Sequence, residues 1–110
     1  MKLPWGDRAI VDERKIVDYC LNEEHDDGKH KARLFHDLLG ISLDNAGLLL
    51  DALKDAAAAG EAVLGKLDRY GQRYVIDFAL QGPGGTRTVR SAWIVLSGER
   101  FPRLVSCYIL

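Results

Sequence analysis

The chain has two cysteines, three prolines, one methionine and no apolar run near the roughly 20 residues that a bilayer crossing requires. Cys20 and Cys107 are too few for a disulfide framework and lack the paired spacing of a zinc site, so both are expected as buried thiols. The first ten residues, MKLPWGDRAI, hold no signal-peptide apolar stretch, and the expectation is a soluble, intracellular, cytoplasmic protein with no membrane partner. Internal repeats and low-complexity tracts are absent too. With no glycine-rich phosphate loop, GxSxG elbow or HExxH pattern, nucleotide hydrolysis, serine hydrolysis and zinc proteolysis find no support.

What is present fits one domain spanning residues 1–110, 47% hydrophobic and 28% charged. The net charge of −1 conceals a polarity along the chain. Residues 1–60 carry eight Lys/Arg against twelve Asp/Glu, and residues 61–110 carry seven against four. After Lys66 every cation is arginine, whose planar fork engages phosphate or carboxylate at two points. An anionic ligand and simple decoration of strand faces both account for this.

Asp12 is placed to cap a helix from about Glu13 to Leu21, with Ile16, Tyr19 and Cys20 on one side. A polar loop, 22–28, leads to a second helix over 29–39. There Ala32, Phe35, Leu38 and Leu39 recur at helical spacing and Gly40 supplies the stop. Ser42 is the expected cap of a third helix through Ala59, ended by Gly60. Thereafter the apolar period changes to alternation. Strands are expected over 61–69 and 72–80, joined at Tyr70-Gly71, then 86–96 after the turn Gly82-Pro83-Gly84-Gly85, and 103–110 after Ser97-Gly98. In the last strand Val105, Cys107 and Ile109 alternate with Leu104, Ser106 and Tyr108. The fold class read from this order is α+β: about three N-terminal helices (1–60) packed on one face of a four-stranded antiparallel meander (61–110), the other face open.

All three histidines fall within N-E-E-H-D-D-G-K-H-K-A-R-L-F-H, residues 22–36. Metal ligands must converge, yet His30 and His36 stand about 120° apart on one helix, so no metal site is expected. His25 and His30 lie near a helix start and are candidates for proton transfer, with Lys31 to stabilise a charged transition state. Lys29 and Arg33 are candidate substrate-binding cations on that helix, or equally a solvated face answering the acids before it. On the strands Arg90 is a candidate phosphate holder, Ser91 and Tyr108 candidate hydrogen-bond donors, and Arg73 and Arg103 further substrate-binding cations. Trp93, sharing a face with Val89 and Val95, is expected in the core.

At L-N-E-E-H-D-D-G-K-H-K-A-R-L-F, followed by Y-G-Q-R-Y-V-I-D-F, V-R-S-A-W-I-V and F-P-R-L-V-S-C-Y, the chain resembles an uncharacterised bacterial family of small stand-alone domains. The resemblance covers nearly all of it. That family is similar to the barnase–EndoU–colicin–RelE assemblage of metal-independent ribonuclease toxins, built as helices followed by a four-stranded antiparallel sheet. A helix signature of toxin-like domains at the ends of larger bacterial proteins matches here at His25, Gly28, Lys31, Ala32 and Phe35. The resemblance implies cleavage of RNA by 2′-hydroxyl transesterification, no cofactor, and a small neutralising protein partner. Catalytic residues differ between families of that assemblage, so it implies a reaction class more than assigned residues. The alternative is a non-catalytic protein-binding module of the toxin–antitoxin or immunity type, using the sheet face or an edge strand.

Overall fold

The computed structural model describes residues 1–110. Helices come first and strands follow. A single 3-10 turn, Gly6–Arg8, precedes α1 (Glu13–Lys15), which widens without a break into a π turn over Ile16–Cys20. Asp12 caps it as expected, its side chain accepting the Arg14 N–H at 3.0 Å. Helix α2 (Lys29–Leu34) widens in the same way over Phe35–Leu39. Gly40, at φ 67°, takes the left-handed position that lets the Ile41 N–H reach the Phe35 carbonyl at 3.1 Å and close the helix.

Ser42 is a cap, but of a 3-10 turn over Leu43–Asn45, and helix α3 proper runs Gly47–Ala59. The reason is a reciprocal capping box. The Ser42 hydroxyl accepts from the Asp44 N–H while the Asn45 side chain accepts from the Ser42 N–H at 2.8 Å and donates to the Gly40 carbonyl. Leu49 and Leu53 of α3 are wholly buried, each stabilising the fold by about 1.5–3 kcal/mol.

The sheet is a meander in the order β1 (Ala62–Asp68), β2 (Gly71–Gly82), β3 (Gly85–Leu96), β4 (Arg103–Ile109), all antiparallel. Pairing Asp68 with Gly71 shifts the first hairpin back by one residue relative to the sequence expectation, and pairing Gly82 with Gly85 shortens the second, leaving Arg69-Tyr70 and Pro83-Gly84 as the tips. The helical layer and one sheet face enclose a core around Phe35, Leu39, Ile76, Val89 and Trp93. The other face, with Asp77, Thr88, Arg90 and Tyr108, stays open or half-open. Strict alternation fails in β4. Trp93 faces Leu104 while Ala92 faces Ser106, so Val105 is an extra, bulged residue and Leu104 joins Cys107 and Ile109 in the core.

A backbone pairing at Ile10 ties the front of the chain to the last strand. Ile10 lies beside the start of β4, donating to the Pro102 carbonyl at 2.8 Å and accepting from the Leu104 N–H at 3.0 Å. Trp5 is the only non-glycine residue with positive φ, at 54°, a backbone state costing about 1–3 kcal/mol. No helix is long and apolar enough to cross a membrane.

Candidate active site

The largest concavity, about 680 Å³, lies between α1 with its π turn and the outer edge of β4. Tyr19, His25, Arg14 and Lys15 line its helical side, and the bulged Val105 with Ser106 its strand side. Asp12 and Asp18 complete the wall, so its own charges balance. The β4 bulge turns Val105 out of the core register and into the groove wall.

At one end, three side chains from three elements meet. Lys31 of α2 points its ammonium at the Tyr19 hydroxyl, 3.3 Å away, and stands 5.5 Å from the Tyr19 ring centre and 5.1 Å from that of Tyr108. A cation held between two phenol rings is attracted by both ring faces and presents its remaining protons outward. The Tyr19 ring meets the His25 imidazole edge-on at 4.9 Å. Behind Tyr108, its cross-strand neighbour Arg90 grips Asp77 in a two-point pair, both contacts at 2.9 Å. The Arg90 guanidinium holds the Asp77 carboxyl below the usual carboxylate range. Asp77 makes Arg90 harder to deprotonate than usual, with a smaller contribution from the neighbouring Tyr108.

His25 is tied into the backbone. Its Nδ1 accepts the N–H groups of Asp27 and Gly28, each at 3.0 Å, which fixes the ring as the acceptor that closes the turn before α2 and puts the proton of the neutral ring on Nε2. His25→Ala is expected to cost about 0.5–1.5 kcal/mol through loss of these turn hydrogen bonds, whereas His25→Asn, with an oxygen acceptor, should recover most of it. Urea denaturation of the two variants measures the difference.

The remaining candidates are dispersed. Ser91 is wholly buried on the core face, donating to the Ile76 carbonyl at 2.8 Å and accepting from the Trp93 indole N–H at 2.9 Å. Both capacities of its hydroxyl are used inside, so the role of surface donor passes from Ser91 to Tyr108. Arg90, read from sequence as a free phosphate holder, has its fork occupied by Asp77. Arg73 and Arg103 sit toward the other end of the open face, paired with Asp68 and Glu99. Their cross-strand partner Ile94 is four residues, about 13 Å, along β3 from Arg90. Of the α2 cations, Lys29 is half-buried and Arg33 exposed. His30 is exposed, and His36 lies 3.4 Å from Glu23. No three His, Cys, Asp or Glu side chains converge as metal ligands would.

Sequence reasoning placed Tyr19 with the apolar side of the first helix and gave Asp77 no role. A tyrosine counts as apolar in a periodicity argument, and its polar tip at the end of a π turn is the signal that could have marked it. Beneath the cluster, the buried thiols Cys20 and Cys107 lie 3.7 Å apart. The hydrogen bond between them lowers the Cys20 thiol and raises Cys107, and the Lys31 ammonium adds to the lowering at Cys20.

Residues 2–110 match the family described as "Domain of unknown function (DUF6883)". The chain belongs to that family. No curated protein matches it. Among solved structures it is similar to a chain of the "Contact-dependent growth inhibition toxin - immunity protein complex from Klebsiella pneumoniae 342", with TM-score 0.71 and 19% identity over 94% of this chain and 95% of that one. At that identity the DUF6883 chain and its structural neighbour share a fold, helices followed by an antiparallel four-stranded sheet.

Proposed function

We propose that this chain is a toxin-type domain that cleaves RNA without a metal and is held in check by a small protein partner. The observation that carries the reading is the Tyr19–Lys31–Tyr108 cluster at the end of the groove, beside His25. In the reaction a 2′-oxygen bonds to the adjacent phosphorus, the bond from phosphorus to the 5′-oxygen breaks, and a cyclic phosphate and a free 5′-hydroxyl result. The transition state gathers negative charge on the phosphoryl oxygens, which a preorganised ammonium at Lys31 stabilises far better than water does. Tyr19 donates its hydroxyl proton to the departing oxygen, and the phenolate left behind is stabilised by Lys31 at 3.3 Å.

His25, with Nδ1 engaged by the backbone, offers Nε2–H to a phosphoryl oxygen. His30, the exposed residue immediately before Lys31 on α2, is the group we assign to take the 2′-hydroxyl proton. Arg90 and Asp77 are positioning residues that hold Tyr108 over Lys31. The structural neighbour comes from a toxin–immunity complex, which supports a toxin-related reading and a protein partner.

The test is purified protein incubated with transfer and messenger RNA in EDTA. Fragments ending in cyclic phosphate are expected; intact RNA in the absence of any partner would overturn the reading.

A second reading, a non-catalytic protein-binding module, has its own observation. Edge strand β1 exposes Val63, Leu64 and Leu67 beside an outer row of backbone groups that no strand pairs. Induction in cells separates the two. A nuclease arrests growth without its partner, whereas a binding module is harmless and co-purifies with one.

A further inference from the structure

At the other end of the groove the surface carries a second arrangement with no structural need for its composition. Leu3, Pro4, Trp5 and Gly6 form a tight turn closed by the Gly6 N–H on the Leu3 carbonyl at 3.0 Å, with Trp5 third, at φ 54° and ψ 33°. That position suits glycine or asparagine, because a side chain there crowds its own backbone. The turn cannot slide to relieve the crowding, since a Cβ on Gly6 would meet the Ala57 carbonyl oxygen of α3 at 1.9 Å. A strained backbone here does not serve to bury the ring, because Trp5 is 50% exposed.

Around the ring are the parts of a nucleic-acid contact. Phe101 meets Trp5 edge-on at 5.9 Å, the Arg100 guanidinium lies 5.6 Å from the Trp5 ring centre, and Arg8 lies 5.9 Å from that of Phe101. Arg14, Arg73, Arg90 and Arg103 spend their forks on carboxylates, whereas Arg8 and Arg100 have none within ion-pair distance. An exposed indole backed by a half-buried phenyl ring, with guanidinium groups that have no carboxylate partner, fits a flat π-system joined to a phosphate. A recess of about 330 Å³ lined by Ile10, Phe101, Arg100 and the Glu99–Arg103 ion pair adjoins them.

We propose that Trp5, with Phe101, Arg8 and Arg100, is a stacking platform for an unpaired base of single-stranded RNA flanking the cleavage point. The proposal rests on the RNA reading of the groove. The two sites lie in sequence along β4: Ile10 pairs beside Arg103 at the platform end, and Ser106 in the groove wall is three residues, about 10 Å, further on. An RNA strand laid along the β4 edge would reach both.

The experiment uses the full chain and an uncleavable 2′-deoxy oligonucleotide, read by tryptophan fluorescence. Trp93 is wholly buried, so quenching by added oligonucleotide reports Trp5. Wild type is expected to be quenched, and an abasic oligonucleotide of equal charge to quench far less. Trp5→Asn should weaken binding roughly 5- to 150-fold, measured by anisotropy of a labelled oligonucleotide, because one base stack is lost. Its melting temperature should hold or rise, since asparagine tolerates the left-handed turn. Arg100→Ala is the second variant, expected to weaken binding and flatten its salt dependence.

Equal quenching by the abasic strand, or wild-type affinity in Trp5→Asn, overturns the platform; so does a Trp5 that ignores oligonucleotides and is covered by a co-purifying protein. Binding that depends on Trp5 without any RNA cleavage supports the platform and removes only the nuclease reading. Cleavage that is indifferent to Trp5 does the reverse.

Discussion

Lys31→Ala is expected to slow RNA cleavage by about a hundred- to a thousandfold, the usual cost of removing one preorganised group that stabilises transition-state charge. The measurement is a single-turnover rate with excess protein in EDTA. Stability should fall only modestly, by about 0.5–2 kcal/mol for the lost contacts with the Tyr19 and Tyr108 rings, because Lys31 has no ion-pair partner whose charge the substitution would strand. Tyr19→Phe keeps the ring that meets His25 and the cation, removing one oxygen; it should lose about a hundredfold, within the range of general acid catalysis. The contrast with Arg90→Ala is informative. That variant frees Asp77 and loosens Tyr108 without removing a group from the reacting atoms, so a smaller loss is expected. Undiminished cleavage by Lys31→Ala and Tyr19→Phe would remove the cluster from catalysis altogether.

Trp93→Ala is expected to cost about 3–5 kcal/mol, the largest stability loss in the molecule, because a wholly buried indole leaves a cavity that strands β2 and β4 on either side cannot collapse into. On a domain of this size each kcal/mol corresponds to a fall of roughly 4–8 °C in Tm, so thermal or urea unfolding resolves it easily. The indole is also half of a polar pair. Its N–H donates to Ser91, whose own hydroxyl donates to the Ile76 carbonyl of β2. Ser91→Ala leaves the indole N–H without a partner inside the core and should cost about 1–3 kcal/mol. RNA cleavage by folded Ser91→Ala should match wild type, which separates its structural place from a chemical one. A loss of cleavage without a loss of stability would restore Ser91 to the site.

What the sequence made legible followed from local patterning. Asp12 and Gly40 end their helices by backbone chemistry confined to a few neighbouring residues, and the change of apolar period after Gly60 marked the sheet. Features set by register were not legible. The β4 bulge at Val105 moves Leu104 inward, and nothing in the alternation of that strand announces an extra residue. Arg90 looked free because its partner Asp77 is thirteen residues away along the chain yet directly opposite across the sheet. Ser91 and Arg90 are adjacent letters on opposite faces, and only one of them faces the open side. His25 and Lys31 were found because their residue types carry chemistry; Tyr19 was passed over because an aromatic residue in an apolar helical pattern counts with the inward side, and Trp5 because nothing in its local pattern marks it.

The sheet is assembled from chain neighbours alone, whereas the groove is not. Tyr19, His25 and Lys31 approach Tyr108 only because the first third of the molecule is buttoned to the last strand, by Ile10 at one end and by the contact of Cys20 with Cys107 inside. Undoing that seam would pull these side chains apart with every hairpin still intact. On the proposed nuclease reading, a molecule wedged into the seam would silence the chain without having to unfold it or to outcompete RNA for the cations.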